Sequence, residues 1–298
     1  MDDIIKLENI SEYNSMRGVE TLHPLVSVYE LSKMKLIPQI RVNFGFYCIF
    51  LKEAVCGDIK YGCNYYDYQE GTLVFIGPGQ VAGIGNIPGK PHPQGWALLF
   101  HPDLIGGTSL GRIIKDYTFF SYETNEALHL SEKERQIIID CLNKINHELH
   151  QSIDKHSKKL IANNIELLLN YCMRFYDRQF ITRSLVNKDL LVRFENLLDN
   201  YLKSEKTRTL GLPTVKYCAD QLNISTNYFG DLIKKETGKS AQENIQLKLI
   251  EIAKERVFDT SRSISEIAYE LGFKHPQHFS RMFKNETGYT PNEYRSLN

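Results

Sequence analysis

The spacing of hydrophobic and polar residues differs between the two halves of the chain. Between residues 25 and about 120, short β-branched and aromatic runs are separated by Gly-containing turns, without an intervening helical pattern. The runs at 42–51, 72–76 and 96–100 therefore predict short strands. Strands spaced in this way are typical of a β-sandwich or barrel and not of alternating β/α units.

After residue 127 the apolar residues recur at helical spacing. Ser131 and Glu134 have the spacing of a capping box, in which side chains satisfy the free N–H groups of the first turn, and the pattern predicts a helix over about 131–150. Similar stripes predict helices over about 154–175 and 189–202. Such stripes form intramolecular core or, in helices that join two domains, a dimer interface.

An internal repeat occupies the C-terminal part of the sequence. The segment 215–222 aligns with 264–271, and 234–238 aligns with 284–288, with an offset that grows by one residue between the two alignments. The second copy is therefore expected to have the longer turn.

Each copy of the repeat predicts helix, tight turn, helix. Ala219 and Ala268 are small enough to sit where two helices cross closely, while Asn223 and Gly272 tolerate the positive φ of a turn. Two copies in register indicate two helix-turn-helix motifs, at about 214–237 and 263–287.

The segment between the two motifs predicts one continuous helix. Ser240 and Glu243 form another capping box, and an apolar stripe continues to about Phe258. A helix of about 19 residues is about 28 Å long. Successive major grooves on one side of B-DNA recur at about 34 Å, so such a helix could hold two recognition helices in adjacent grooves.

The C-terminal sequence closely resembles the AraC/XylS-type bacterial transcription regulators over about residues 193–298. The strings AYELGF and HFSRMFK stand where the second helix-turn-helix motif of that family has them, followed by a closing G-x-TP-x-x-YR made by Gly288, Thr290, Pro291, Tyr294 and Arg295. The resemblance implies a transcription factor whose two recognition helices insert into consecutive major grooves.

The N-terminal half resembles more loosely the cupin-like sensor domain of the same family, on the segment 71–80. The expected fold class is thus α+β. A cupin-like β-barrel or sandwich for effector binding or dimerisation occupies 1–127, a helical connector that could form a dimer interface occupies 128–192, and an all-α AraC-type DNA-binding domain with two helix-turn-helix motifs occupies 193–298.

The outward positions of the two recognition helices are the candidate DNA contacts. Asn227, Gln277 and Arg281 are expected at base edges, since Asn and Gln pair with adenine and Arg with guanine. Lys234, Lys235, Lys274 and Lys284 are expected on phosphates. Asp231 departs from the family pattern, in which a basic or neutral polar residue is more usual. Its carboxylate repels phosphate but can accept a hydrogen bond from cytosine N4. The remaining candidates are Ser225, Thr226, His278 and Ser280.

Candidate effector contacts in the N-terminal half are aromatic and cationic residues that suit sugars or aromatic acids. The alternative is ordinary packing, since Tyr in a small β domain is usually half-buried. The candidates are Arg41, Tyr47, Tyr61, Tyr66 and Trp96.

Composition and local sequence narrow the classes of protein to which the chain could belong. The chain has 298 residues, with 36 Lys plus Arg against 36 Asp plus Glu, which excludes a strongly basic coat. Residues 1–20 lack the apolar stretch of a secretory signal, and the run at 44–51 is too short to cross a bilayer, so a cytoplasmic protein without membrane contact is expected. His92 and His101 offer no closely spaced metal ligands, and neither a metal nor a cofactor is expected.

The favoured hypothesis is a transcription regulator that is not an enzyme. Its expected partners are double-stranded promoter DNA, a small-molecule effector of unknown identity, RNA polymerase and a second copy of the chain. One alternative is a cupin-type metal-dependent enzyme with a helical appendage, and another is a helical adaptor that does not bind DNA.

Overall fold

A computed structural model describes residues 4–53, 71–85, 92–122, 126–182 and 184–296. The chain divides into two compact units, Met1–Thr182 and Arg183–Asn298. The first contains strands and helices and the second is helical, which confirms the predicted α+β class.

The described part of the N-terminal unit contains eight strands in two sheets. A three-stranded sheet has the order β1-β3-β6, and a five-stranded antiparallel sheet has the order β2-β7-β4-β5-β8. The strands are β1 (Ile4–Leu7), β2 (Val26–Glu30), β3 (Ile40–Phe44), β4 (Tyr47–Lys52), β5 (Thr72–Ile76), β6 (Val81–Ile84), β7 (Gly95–Phe100) and β8 (Leu128–His129).

The two sheets share one hydrophobic core. Val42 and Phe44 of the smaller sheet and Cys48 and Leu99 of the larger sheet belong to the same buried cluster, together with Tyr13. Alternate residues of a strand point to opposite faces, so the shared cluster identifies the inner face of each sheet. The described strands thus form a sandwich, and the closed cupin-like barrel is not confirmed, since they do not close into a barrel.

Five α-helices are described in the N-terminal unit, and the two longest follow the sandwich. α4 contacts β2 and β7, and Val28 and Leu98 on the outward side of those strands are buried. The capping box predicted for α4 is present, because the Ser131 hydroxyl accepts from the Glu134 N–H. The helices are α1 (Ile10–Arg17), α2 (Pro102–Ile105), α3 (Ser109–Ile113), α4 (Glu132–Leu149) and α5 (Ser157–Thr182).

Eight helices are described in the C-terminal unit. They are α6 (Ser184–Lys203), α7 (Lys206–Leu210), α8 (Val215–Leu222), α9 (Thr226–Thr237), α10 (Ala241–Val257), α11 (Ile264–Glu270), α12 (Pro276–Thr287) and α13 (Pro291–Arg295). The segment predicted as a connector, 128–192, thus contributes α4 and α5 to the first unit and the start of α6 to the second. None of the helices described in either unit combines the length and apolar character of a membrane span.

Candidate DNA-binding surface

Two helix pairs in the C-terminal unit repeat one backbone design. We call α8 and α9 with their turn the first head, and α11 and α12 with their turn the second head. Ala219 and Ala268 are completely buried on the first helix of each pair. The N–H of Ile224 donates to the Ala219 carbonyl at 3.1 Å, and the N–H of Phe273 donates to the Ala268 carbonyl at 3.0 Å. Both heads therefore leave their first helix through the same hydrogen-bonded turn.

The turn of each head uses a residue suited to left-handed backbone. Asn223 has φ 58° and Gly272 has φ 93°, values that β-branched residues avoid. α9 then begins beyond Ser225, whose hydroxyl accepts from the Tyr228 N–H at 3.2 Å. α12 begins beyond His275 without a side-chain cap, and Pro276 occupies its first turn. The turn positions chosen from the sequence are confirmed.

The recognition helix of the first head buries one face and exposes the other. Phe229, Leu232 and Ile233 are buried, as their helical spacing predicts. Asp231 is half-buried on the same helix. The remaining candidate contacts on α9 are exposed, and they are Thr226, Asn227, Lys234 and Lys235.

The recognition helix of the second head has the same division and a more basic exposed face. Phe279 and Phe283 are completely buried, and Ser280 is half-buried. Neither Arg281 nor Lys284 forms an ion pair with another described residue. The exposed candidate contacts are Lys274, Gln277, His278, Arg281 and Lys284.

Both recognition helices end in the same way. Gly238 and Gly288, with φ 73° and 82°, follow Thr237 and Thr287. Each threonine hydroxyl donates to the carbonyl four residues earlier, at 2.8 Å from Thr237 to Ile233 and at 2.7 Å from Thr287 to Phe283. The repeated ETG string thus encodes a helix terminus fixed by its own side chain.

The helices that follow the two heads begin with matching capping boxes. Glu243 accepts from the Ser240 N–H at 2.7 Å, and Glu293 accepts from the Thr290 N–H at 2.7 Å. Hydrogen bonds from the capping residues hold the pKa of both carboxyl groups below the usual value. Each carboxylate therefore stays ionised beside a helix N-terminus, where negative charge is favourable.

Two long helices hold the heads in one body. α6 contacts both helices of the first head, where Phe194 packs edge-on against Phe229 at a centroid distance of 5.0 Å. Its C-terminal residues Tyr201 and Leu202 join the core of the second head. α10 contacts α9, α11 and α12, and at about 1.5 Å per residue it is about 26 Å long.

The second head is also held by contacts with α7, which precedes both heads in the chain. The Thr207 hydroxyl donates to the Glu270 carbonyl at 2.8 Å, and a Cβ on Gly272 would lie 2.9 Å from the Thr207 carbonyl oxygen. Glu270 also accepts from Arg208 at 2.9 Å and from Arg262 at 2.7 Å. The sequence did not single out Thr207 or Arg208, because nothing local marks a contact made across more than sixty residues.

Arg295 is a second positioning residue, at the end of the family-like motif. Its guanidinium donates to the Val257 carbonyl at 2.6 Å and to the Arg262 carbonyl at 3.0 Å. It therefore closes the C-terminus of α10 and the loop that leads into the second head. The motif drew attention to this residue but did not reveal its partners.

The three candidate effector residues that the structure describes lie on two different sheets. Arg41 is exposed on β3, where its neighbours Ile40 and Val42 pack in or against the shared core. Tyr47 stacks on Phe100 at 4.8 Å, on the outward face of the larger sheet. Trp96 is half-buried on β7, on that same outward face. Tyr61 and Tyr66 lie outside the described residues.

No group of three or more His, Cys, Asp or Glu in the described ranges could hold a metal ion. Cys48, Cys141, Cys172 and Cys218 are free and buried, and burial raises the pKa of the Cys218 thiol to about 11.

Known proteins resemble this chain chiefly at the two heads. Residues 218–296 match a family model described as a helix-turn-helix domain. The uncharacterized transcriptional regulatory protein YesN of Bacillus subtilis is 41% identical over 91 residues, which are 29% of this chain and 25% of YesN. The chain therefore covers only a quarter of that relative's length.

Two further matches differ in extent. The lactose operon transcription activator of Staphylococcus xylosus is 26% identical over 268 residues, which are 87% of this chain and 88% of that protein. The C-terminal domain of AraT, a response regulator from Geobacillus stearothermophilus, is 28% identical over 37% of this chain and 85% of that chain, with a TM-score of 0.33.

The paired heads and the matching family model define the class of the C-terminal unit. It is a helix-turn-helix DNA-binding domain. The repeated motif, the family model and the relatives named as transcription regulators support the resemblance of this unit to the AraC/XylS-type regulators.

Proposed function

We propose that this protein is a sequence-specific, DNA-binding transcription regulator that inserts α9 and α12 into adjacent major grooves of one duplex. The observation that carries the proposal is the pair of heads with one backbone design, held by α6 and α10 and each exposing a polar helix face. The length of α10, about 26 Å, is comparable to the distance of about 34 Å between successive major grooves on one side of B-DNA.

Residue roles follow from the exposed faces. Asn227, Gln277 and Arg281 would contact base edges, where a bidentate pair provides roughly 1–3 kcal/mol of discrimination. Thr226, His278 and Ser280 complete the outward faces. Phosphate contacts, which orient the protein without reading sequence, would come from Lys234, Lys235, Lys274, Lys284 and Ser225 at the start of α9.

The N-terminal unit would provide control and assembly. A small-molecule effector would act through its cupin-like β-sandwich, and a relative along most of the chain is named for a lactose operon, which makes saccharides the first compounds to test. α5 exposes Leu160, Leu167 and Ile181, which supports a homodimer formed through the helices after the sandwich. Promoter DNA and RNA polymerase are the remaining partners of a cytoplasmic regulator.

The test is recovery of DNA from a sheared library of the host genome with the full-length protein. The expected result is enrichment of a few fragments that share a site, with affinity that falls steeply as salt rises. A matched variant, Arg281→Ala, should bind the recovered fragments more weakly and retain its melting temperature. Failure to enrich any duplex, or binding that salt does not change, would contradict the proposal.

A further inference from the structure

A cleft in the N-terminal unit lies between the edge of the larger sheet and the end of α4. Its volume is about 330 Å³, within the range of small-ligand pockets. Polar and aromatic side chains line it from β2, β7, α4 and the segments that follow α1 and β2. Those that carry the inference are Glu20, Glu30, Lys33, Trp96, Asn146 and His150. We call it the Trp96 cleft.

Strand pairing places the aromatic wall of this cleft. Trp96 pairs with Glu30 across β7 and β2, and paired residues of antiparallel strands point to the same face. Val28 lies on that face too, while Tyr29 and Ala97 belong to the core between the sheets. The half-buried indole of Trp96 therefore presents an apolar surface outside the core, next to a carboxylate.

Buried hydrogen bonds fix the wall opposite the sheet edge. The side-chain amide of Asn14, completely buried in the second half of α1, donates to the Thr21 hydroxyl at 3.1 Å and to the Ser27 hydroxyl at 3.2 Å. Gly18 ends α1 with φ 67° and directs the chain into the segment that carries Glu20. The turn that borders the cleft is thus held to β2 by polar contacts within the fold.

The charges of the cleft discriminate between ligand classes. Glu30 pairs with Lys33 at 2.8 Å, whereas Glu20 forms no ion pair within the described part of the chain. The cleft thus has one more carboxylate than ammonium group. A ligand carboxylate would be repelled at close range, which disfavours the aromatic acids that the sequence left open.

Hydrogen-bonding groups in the cleft suit hydroxyl groups, which both donate and accept. The Asn146 side-chain amide can do both. The His150 Nδ1 lies 2.8 Å from the Asn146 backbone carbonyl oxygen, which can only accept, so Nδ1 donates in this contact and Nε2 is the ring nitrogen left for a ligand. Lys33 donates and Glu20 accepts. A flat apolar ring beside mixed donors and acceptors matches an uncharged sugar ring.

We propose that the Trp96 cleft binds an uncharged mono- or disaccharide, which stacks on the Trp96 indole and bonds to Glu30, Asn146 and His150. The inference rests on the proposed function, because it names the effector class and its site. The ligand would join the sheet edge to the C-terminal end of α4, the helix immediately before α5, the last element of the N-terminal unit.

Trp96 is the one tryptophan of the chain, so its emission reports on the cleft alone. The full-length protein is titrated with galactose, lactose and raffinose, and separately with benzoate and salicylate, while fluorescence and binding heat are recorded. The expected result is a saturable change in emission with at least one saccharide and no change with either acid. Glu30→Gln and His150→Ala should weaken saccharide binding about ten-fold.

Arg41→Ala is the matched control, because Arg41 lies on the outer face of the other sheet, and its affinity for saccharide should equal that of the wild type. Tighter binding of an acid than of any saccharide would overturn the ligand class. Saccharide heat that leaves Trp96 emission and both cleft variants unaffected would overturn the site, and absence of binding by every saccharide up to about 10 mM would overturn the whole inference.

The same preparations are tested on the recovered duplex. If duplex binding persists while the saccharide result fails, only the inference about the cleft is lost. If no duplex is bound, the proposed function fails, whatever the saccharide titration shows.

Discussion

Position 231 of the first head and position 281 of the second occupy equivalent places, because α9 and α12 are both twelve residues long and start fifty residues apart. One is a half-buried Asp and the other an exposed Arg. The stretch 274–285 contains three Lys or Arg residues and no acid, whereas 225–236 balances Lys234 and Lys235 against Asp231 and Glu236. A shared backbone therefore carries two electrostatic surfaces, which predicts unequal contributions to DNA affinity.

The heads also differ in how their turns are held. Position 223 of the first head is exposed and requires only a residue suited to left-handed backbone. Gly272 of the second head, in contrast, lies against backbone atoms of Thr207 and Gly211. The more basic head is thus also the one fixed by contacts with α7 and the residue that follows it. Because of these contacts and its more basic face, we expect the second head to contribute more to DNA affinity than the first.

The largest effect is expected from crowding the turn of the second head. Gly272→Ala adds a Cβ 2.9 Å from backbone atoms at φ 93°, so the unfolding free energy of the C-terminal unit should fall by about 2–3 kcal/mol. Gly288→Ala is the control, because its φ is also positive but nothing lies within 4 Å of the added Cβ. Denaturant unfolding of both variants measures the difference, and equal losses would show that crowding is irrelevant.

The second-largest effect, on DNA affinity, is expected from a change to the basic face of α12. Arg281→Ala should weaken binding of the recovered duplex about ten-fold or more, because a bidentate pair with guanine is lost. Asp231→Ala should cost less, since no attraction to phosphate is removed. Gel-shift titrations at one fixed salt concentration provide the ranking, and equal losses from the two substitutions would refute it.

A smaller effect is expected from making the first head resemble the second. Asp231→Arg should strengthen duplex binding several-fold and steepen the dependence of log K on log salt by about 1, since one more phosphate charge is neutralised. Asp231→Asn, which removes the negative charge without adding a positive one, is the matched control. An unchanged salt slope in the Arg variant would place residue 231 away from the phosphates.

The smallest effect is a difference in acid sensitivity. Glu266 closes the capping box of α11, and hydrogen bonds from Ser263 hold its pKa below the ordinary value of 4.5, whereas Tyr217 stands at the equivalent position of α8. A lowered pKa means that Glu266 stabilises the second head above about pH 4.5 and ceases to do so as pH falls through the folded-state pKa.

Hydrogen exchange of the α11 and α8 amides between about pH 3 and 6 would measure this difference. Exchange at α11, corrected for intrinsic rates, should rise with acid more than at α8. Glu266→Gln should remove the excess. If exchange at α11 in the Glu266→Gln variant depends on pH as it does in the wild type, Glu266 is not the cause of the acid sensitivity.

Local sequence signals predicted much of both heads. The capping serines, the positive-φ residues and the ETG ends act within a few residues, so Asn223, Gly272 and the ends of α9 and α12 were identified from the sequence. The contact of Thr207 with Glu270 and the docking of Arg295 on Val257 join distant segments, and no local pattern encodes them.

The N-terminal unit shows a second limit of prediction from the sequence. An amphipathic stripe predicts α4 but does not name the surface that it faces, which is the outer side of β2 and β7. The apolar and aromatic run at 96–100 placed Trp96 in a strand but could not identify its neighbours. Strand register pairs Trp96 with Glu30, and packing brings it near Asn146 and His150.

The central claim is that the two heads bind adjacent major grooves of one duplex, and the spacing of the half-sites tests it most directly. Once the bound site is mapped, five base pairs are inserted between its two halves, which turns them to opposite faces of B-DNA. We predict that affinity falls to that of a duplex carrying the second half-site alone, while an insertion in the flanking sequence has no effect. Undiminished affinity for the duplex with the insertion between the half-sites would contradict the account.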